Sequence, residues 1–258
     1  MGASRKTLET LLLPALTGGV LLAVWHAAVV LTKTHIFPSP WQVLLGIQEL
    51  ADQGRLVPYV LDSLNRVLTG YLLAVAVGLP GGLVLGLHAP AAHVAAPVIQ
   101  LLRPISPLAW IPVSIILFGI ANTATIFLIF LASLFPITLA TMDAVRNVPA
   151  IYLRSGQNFG LGRYALLRRI ILPAALPHAL TGLRLSFGIA WLVVVAAEMI
   201  GVDSGLGYLI IDARNAGKRY DLVVAGILLV GGIGLSLDLL MRWLERARAL
   251  RWAYQRDP

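Results

Sequence analysis

Five histidines, His26, His35, His88, His93 and His178, could in principle bind a metal or move a proton, but no two have the spacing of a ligand pair. Cysteine is absent, which removes disulfide scaffolds and thiolate metal sites. Gly217-Lys218 could begin to cradle phosphate, but Arg219 follows where a P-loop needs Ser or Thr, and the upstream glycine is missing. HExxH and GxSxG do not occur. The chain is expected to do no covalent chemistry and to hold no cofactor or metal of its own.

Four ionisable residues stand close to strongly apolar stretches: Glu198, Asp143, Asp238 and Arg103. Acids at membrane depth are costly and point to function by default. Glu198, in VVVAAEMIGVDSG, has two readings. It is an interfacial carboxylate that pairs with a loop arginine or caps the following loop, or it lines or gates a pathway. Asp143 and Asp238 lie near the ends of apolar runs, where solvation or pairing is easy. Arg103 precedes Pro104 and is expected to snorkel to the interface. One polar stretch differs from the rest: GQNFGLGRYALLRRIILPAALP, 156–177, has no acid, three arginines and a Gly-Leu-Gly at its front.

The elements that must position these residues follow from composition. Of 258 residues, 58% are hydrophobic and 12% charged, and the mean hydropathy is +0.83. Soluble chains are roughly 25% charged. Runs of about 20 apolar residues fit a bilayer, and six are read: 11–31, 67–87, about 105–120 (preceded by a short helix, within a stretch 94–120 broken by Arg103, Pro104, Pro107 and Pro112), 123–142, 180–200 and 222–241. The first reads as an anchor and not a cleaved signal. Gly78, Gly82 and Gly86 form a small-residue ladder for close packing, within a subunit or between subunits. With both termini in the cytoplasm, 14 basic residues fall inside and 6 outside. That bias sets the orientation, and it makes basic charge (net +8, pI near 10.3) a record of topology, not of nucleic-acid binding. The basic stretch becomes a cytoplasmic loop, about 146–178. SPWQVLLGIQELADQG, 39–54, reads as an interfacial helix on the external surface. Ser39 caps it, Pro40 sits in its first turn, Trp41 anchors it, and Leu44, Leu45, Ile47, Leu50 and Ala51 complete its apolar face. GVDSGLGYLIIDARNAGKRYD, 201–221, reads as a re-entrant or surface loop.

The loop resembles that of permease subunits of ATP-binding-cassette importers. Their pattern is EAA, three residues, Gly, nine residues, Ile, one residue, Leu-Pro. Gly160, Ile170, Leu172 and Pro173 match it in type and spacing, while Arg154-Ser155-Gly156 departs from the EAA part. FPSPWQV (37–43), SLNRVLTGY (63–71), RPISPLAWIPVSIILFGI (103–120) and TGLRLSFGIAWLVVVAAEMIGVDSGLGYLI (181–210) are similar to the nitrate/sulfonate/taurine branch.

The resemblance implies an all-α integral membrane protein of about six transmembrane helices, with the type I importer permease fold. Its expected parts are an N-terminal anchor and external helix, 1–66, and a permease core, 67–258. It also implies partners: a second permease copy in a homodimer, two cytoplasmic ATPase subunits that bind ATP and Mg, an extracytoplasmic substrate-binding protein, membrane lipid, and no nucleic acid. The location is the bacterial cytoplasmic (inner) membrane. The loop would form short helices at 150–159 and 163–171 around a turn at Gly160–Gly162, with Pro173 and Pro177 ending the second. ATPase coupling would fall to Arg154, Phe159, Gly160, Leu161, Gly162, Tyr164, Leu167, Ile170, Leu172 and Pro173. Gly156, inside the first helix, is expected to accept alanine. Ser106, Asn122, Ser186, Trp191 and Glu198 are candidates to line the pathway. The expected cargo is a small oxyanion: sulfonate or taurine first, then nitrate or bicarbonate. Competing readings are a channel or secondary transporter without ATP, and a membrane scaffold.

Overall fold

The computed structural model describes residues 2–32 and 37–245. His35 lies outside the described residues, as do Lys33 and the tail arginines Arg246, Arg248, Arg251 and Arg256 of the charge count.

Every regular element among the described residues is helical. In chain order they are α1 (Gly2–Thr32), α2 (Pro40–Asp52), α3 (Leu56–Leu87), α4 (Ala89–Leu102), a 3₁₀ turn (Pro107–Trp110), α5 (Ile111–Phe118), α6 (Asn122–Arg146), α7 (Ala150–Asn158), α8 (Arg163–Leu166), a π turn (Leu167–Ile171), α9 (Leu172–Gly201), α10 (Leu206–Gly217) and α11 (Tyr220–Glu245). Four helical runs are long and apolar enough to cross a membrane alone: Leu56–Leu87, Asn122–Arg146, Arg163–Gly201 and Tyr220–Trp243. The third expected span and the short helix before it appear as Pro107–Phe118 and Ala89–Leu102, bent by 82° about the proline-rich break, so together they form a broken span or a re-entrant turn. The first expected span lies in α1, whose apolar portion is Leu16–Thr32.

The core is built by α3, α6 and α9. The helices α3 and α6 run parallel, and the glycine ladder is what brings them together. A Cβ at Gly78 would stand 2.9 Å from Ile137 Cγ2, at Gly82 2.4 Å from the Thr138 carbonyl oxygen, and at Gly86 2.7 Å from Val145 Cβ. The ladder therefore packs within one subunit. Helix α9 crosses α6 at Gly182, where a Cβ would meet that of Ala140 at 2.3 Å. Tyr71 and Phe187 meet edge-on at 5.0 Å between ring centroids, and the Tyr71 hydroxyl donates to the Leu183 carbonyl at 2.8 Å. Trp191 donates its indole N–H to the Val230 carbonyl at 3.1 Å and joins α9 to α11. Arg184 bridges to Glu245 at 2.7 Å, and Asp238 pairs with Arg242 at 2.8 Å.

Three local expectations change. Helix α3 starts at Leu56, not near 67, so Arg66 lies inside it. Segment 201–221 is mostly a helix, not a loop. Leu206, Leu209 and Ala213 recur at helical spacing and are buried, a stripe hidden by the flanking glycines. Pro173 and Pro177 do not end the loop's second helix, because α8, the π turn and α9 form one run of 39 residues. The Leu172 N–H reaches back to the Leu167 carbonyl, and this wider turn leaves Pro173 in the first turn of α9, where it has no partner to lose.

In α2 the capping expectation holds. The Ser39 hydroxyl accepts from the Gln42 N–H, and the Gln42 side chain accepts from the Ser39 N–H at 2.7 Å. Its apolar residues divide between two faces. Leu50, with Val43 and Gly46, is buried, while Trp41, Leu44 and Leu45 are exposed.

Alanine at Gly82 and at Gly81 should therefore differ. Gly82→Ala drives a methyl into a backbone oxygen and should cost about 1–3 kcal/mol. Gly81→Ala meets only Thr138 Cγ2, at 4.0 Å, and should be neutral or gain up to about 1 kcal/mol of helix propensity. Thermal unfolding in detergent, comparing both with the parent chain, checks the contrast.

Candidate functional site

Three places concentrate polar groups: a hinge at the loop end of the bundle, a buried ion pair at the far end, and a cavity between them.

The hinge is a helix stop. At the end of α7, the Leu161 N–H donates to the Gly156 carbonyl at 3.0 Å and the Gly160 N–H to the Gln157 carbonyl at 2.9 Å. This crossed pair requires a left-handed residue between them, and Gly160 supplies it with φ +76°. The chain then turns through Gly162 into α8. Beneath the hinge, Ala144, Val145, Val148, Ile171, Ala175 and Ala179 are buried, with Tyr152, Leu153, Leu166 and Leu167 packed against them. The loop is thus seated on the ends of α6 and α9. Phe159 is 87% exposed and Tyr164 73%, so the hinge presents two aromatic rings outward. Ile151, not singled out in the sequence, is 64% exposed on the same short helix. Arg154, Leu172 and Pro173 are exposed, while Leu161, Leu167 and Ile170 are half-buried. Gly156 is buried, and a Cβ there would stand 2.4 Å from Ile170 Cδ1 and 2.8 Å from Leu166 Cδ1. Alanine at Gly156 is not the free gain expected from propensity, since both side chains must rotate.

At the far end Glu198 is fully buried and Arg66 is 4% exposed. Arg66 Nη1 donates to Glu198 Oε1 at 2.7 Å and to the Ser204 carbonyl at 2.8 Å. Its Nε donates to Asn122 Oδ1 at 2.8 Å, and Nη2 donates to the Ser204 hydroxyl. Glu198 Oε2 accepts from the Ser63 hydroxyl at 2.8 Å and from the Gly207 N–H at 3.0 Å. Ser63 in turn accepts from the Leu206 N–H at 2.9 Å. The carboxylate therefore sits at the N-terminus of α10, where amides lack helical partners and negative charge is favoured. Gly205, with φ +100°, lets the chain pass, and a Cβ there would lie 2.5 Å from the Glu198 carboxyl carbon.

Both structural roles expected for Glu198, pairing with an arginine and capping the segment after it, are present together. The arginine comes from α3 and not from a loop. Sequence reasoning missed Arg66 because it stood outside the expected span. The signal was there in SLNRVLTGY, one arginine in a run that continues the helical pattern.

The cavity, of about 610 Å³, lies among the α4–α5 break, α6 and α9. Trp110, Phe135, Pro136 and Ile189 are among its apolar walls, and Arg103, Asp143 and His178 also line it. Of the pathway candidates, Ser106 precedes the 3₁₀ turn without a side-chain cap bond and is exposed beside the cavity residues Ile105 and Pro107. Asn122 is exposed and holds Arg66. Ser186 is buried and donates to the Gly182 carbonyl of its own helix at 2.6 Å. Trp191, on α9, is buried against α11, and Glu198 is in the ion pair. A second cavity, of about 630 Å³, lies among α1, α2 and the start of α11. There Arg219 bridges Glu49 and Asp221 and holds the Glu49 carboxyl below the usual carboxylate range. Among the described residues no cluster of three or more His, Asp or Glu could hold a metal.

Residues 78–249 match the binding-protein-dependent transport system inner membrane component. The chain belongs to this family. A nitrate import permease protein of Synechococcus elongatus is 36% identical over 239 residues, covering 88% of this chain and 86% of the relative. A taurine transport system permease protein of Escherichia coli is 37% identical over 239 residues, 89% and 86% of the two chains. Among solved structures, an inward-facing MetNI methionine ABC transporter chain superposes with a TM-score of 0.66 at 17% identity, over 76% of this chain and 97% of that one. The chain is thus a multi-pass membrane permease of the ATP-binding-cassette importer type, and the family implies ATPase and substrate-binding partners.

Breaking the buried pair from one side should be costly. Glu198→Gln or Arg66→Met leaves a charge or its donors unmatched and should cost about 3–5 kcal/mol. The double variant, Arg66→Met with Glu198→Gln, leaves no buried charge and should be more stable than Arg66→Met alone. Unfolding midpoints of the purified chain in detergent decide this.

Proposed function

We propose that this chain is the membrane subunit of an ATP-driven importer for a small oxyanion of the sulfonate, nitrate or bicarbonate class. It works as a homodimer in a bacterial inner membrane with both termini in the cytoplasm. Two separate ATPase subunits hold ATP and Mg and dock on the hinge, and an external binding protein delivers the cargo. The observation that carries this reading is the hinge itself. Gly160 reverses the chain so that Phe159 and Tyr164 stand out from a seated, basic loop, as a docking element requires. Support for the cargo class comes from the nitrate and taurine relatives, which match along most of the chain.

The 39-residue run from Arg163 to Gly201 supplies the transmission. A helix of this length extends on the order of 58 Å at 1.5 Å per residue. One end begins at the hinge, and the other carries Glu198. Closure of the ATPase pair pushes the hinges, and each α9 moves as a lever whose far end is held to α3 by the ion pair. The route between outward- and inward-facing states runs beside the broken span, because freed backbone groups at membrane depth need a watery or protein-lined cavity.

Two tests address this reading. A reporter fused after Gln53 or Ala213 should read as external and one after Gly162 as cytoplasmic; an external Gly162 would remove the docking role. Gly160→Val in the reconstituted complex should keep near-normal expression but lose ATPase docking or ATP-dependent uptake. The positive φ makes a β-branched residue strained by about 1–2 kcal/mol, and the side chain, which meets nothing within 4 Å in this chain, would meet the docked partner. Normal uptake by Gly160→Val would overturn the hinge assignment.

A further inference from the structure

Helix α7 has two faces, and this chain uses one of them. At about 100° per residue, Tyr152, Leu153 and Gly156 share one side, and Ile151, Arg154, Ser155 and Asn158 share the other. The first side lies on the seat. Tyr152 and Leu153 pack against the cluster of Ala144, Ile171 and Ala175, and Gly156 is buried. The second side is exposed at all four positions and so points away from the ends of the spans. Arg154 is the one charge of α7, with exposed Ile151 three residues before it and exposed Phe159 at the helix end.

The loop supplies no counter-charge for it. No Asp or Glu stands between Asp143 and Glu198, and Glu198 is held in the ion pair with Arg66. The other half of the loop adds Arg163, Arg168 and Arg169, all exposed. A guanidinium that is covered leaves water and must be paired, so whatever covers this face must bring the carboxylate. A membrane surface is the weaker fit. A helix lying among headgroups needs a broad apolar face, and α7 has Tyr152 and Leu153 on the seat and only Ile151 as a large apolar side chain outward.

We propose that Arg154 selects the partner ATPase: it docks on a carboxylate in an acidic groove of that subunit, with Ile151 and Phe159 against apolar surface beside it. The inference rests on the importer reading and adds to it the sign of the interface. The planar guanidinium grips a carboxylate with two parallel N–H donors. In the loop pattern described above, the position of Arg154 is that of the acid. An ATPase groove matched to that acid meets a like charge here, which is strongly unfavourable across an interface. The chain thereby excludes such ATPases as well as binding its own.

The lysines of the chain, Lys6, Lys33 and Lys218, all lie outside the loop, which makes the contact traceable. The probe is the complex of this chain with the ATPase subunit that copurifies with it from its host, reconstituted in phosphatidylcholine vesicles. Arg154→Lys is treated with a water-soluble carbodiimide, which joins an amine to a carboxylate without a spacer. Peptide mass spectrometry should find an amide from position 154 to an Asp or Glu of the ATPase. In titrations of stripped vesicles with that ATPase, Arg154→Gln should weaken binding about tenfold, the scale of one charge-assisted hydrogen bond. Arg154→Glu, which restores the acid of the pattern, should weaken it further and abolish ATP-dependent uptake. Raising salt from about 0.05 to 0.5 M should weaken the parent more than Arg154→Gln, because screening acts on the charge that the variant lacks. Unfolding midpoints equal to that of the parent show that these exposed-site variants fold. No amide at position 154 while the ATPase is bound, or Arg154→Glu that binds as tightly as the parent, overturns the proposal. So does an effect of Arg154→Gln seen only after phosphatidylglycerol is added, which assigns the face to lipid. The two readings separate on the parent chain: if no ATPase binds it or drives uptake, the importer reading falls and this one with it. If the parent takes up cargo with ATP and Arg154→Glu does so equally, this one falls alone.

Discussion

A guanidinium and a carboxylate removed from water must find each other, and the architecture at the far end of this protein follows from that demand. Arg66 and Glu198 are contributed by α3 and α9, more than 130 residues apart in sequence. Their remaining donors and acceptors recruit Asn122 at the start of α6, Ser204 in the α9–α10 link, and the first amides of α10. Four helices are thereby fixed at one point. Replacing a buried pair with apolar residues often costs nothing in stability, so the value of the pair here lies in position. It sets where α9 ends and where α10 begins.

The rest of the bundle depends on backbone proximity instead of charge. Helices in lipid gain little from hydrophobic exclusion and associate through close packing and small residues. The ladder on α3 and the Gly182–Ala140 contact let α6 lie against both neighbours. With α9 clamped above by the ion pair and α6 wedged along its length, the π turn is where the long run departs from regular geometry. It lies just before the paired prolines and next to the seated loop. The two ends of α9 are therefore different in kind: one is tied by a satisfied polar network, the other by an apolar seat under an exposed hinge.

Between these ends the broken span leaves space. The proline-rich bend between α4 and α5 borders a cavity whose walls come from three separate parts of the chain. Taken one by one along the sequence, the charged residues at its mouth are groups near a membrane interface. The fold brings three of them, Arg103, Asp143 and His178, from separate elements to line one space.

The legibility of the sequence divides along the same physical line. Local chemistry was readable. Apolar run length announced the spans, Ser39 with Pro40 announced the α2 cap, and the Gly-Leu-Gly spacing announced the stop at Gly160, because helix ends and hinges are decided by residues a few positions apart. The glycine ladder announced close packing but not its partner. What the sequence could not state was which distant groups meet. Arg66 looked like a charge outside a span because its solvation is supplied by residues from three other elements. Segment 201–221 looked like a loop because its glycines hid a stripe that becomes a helix only when Glu198 and Ser63 satisfy its first amides. Pro173 looked like a terminator because a π turn, supported by the packing beneath it, is invisible to spacing rules. Composition and local pattern determined that this chain is helical and membrane-spanning with a basic, glycine-hinged loop, and the loop's resemblance to a known family pointed to a permease. The tertiary structure alone decided which polar groups are paired and which are left free around the cavity, since in a low-dielectric interior a polar side chain takes its role from the partner that reaches it.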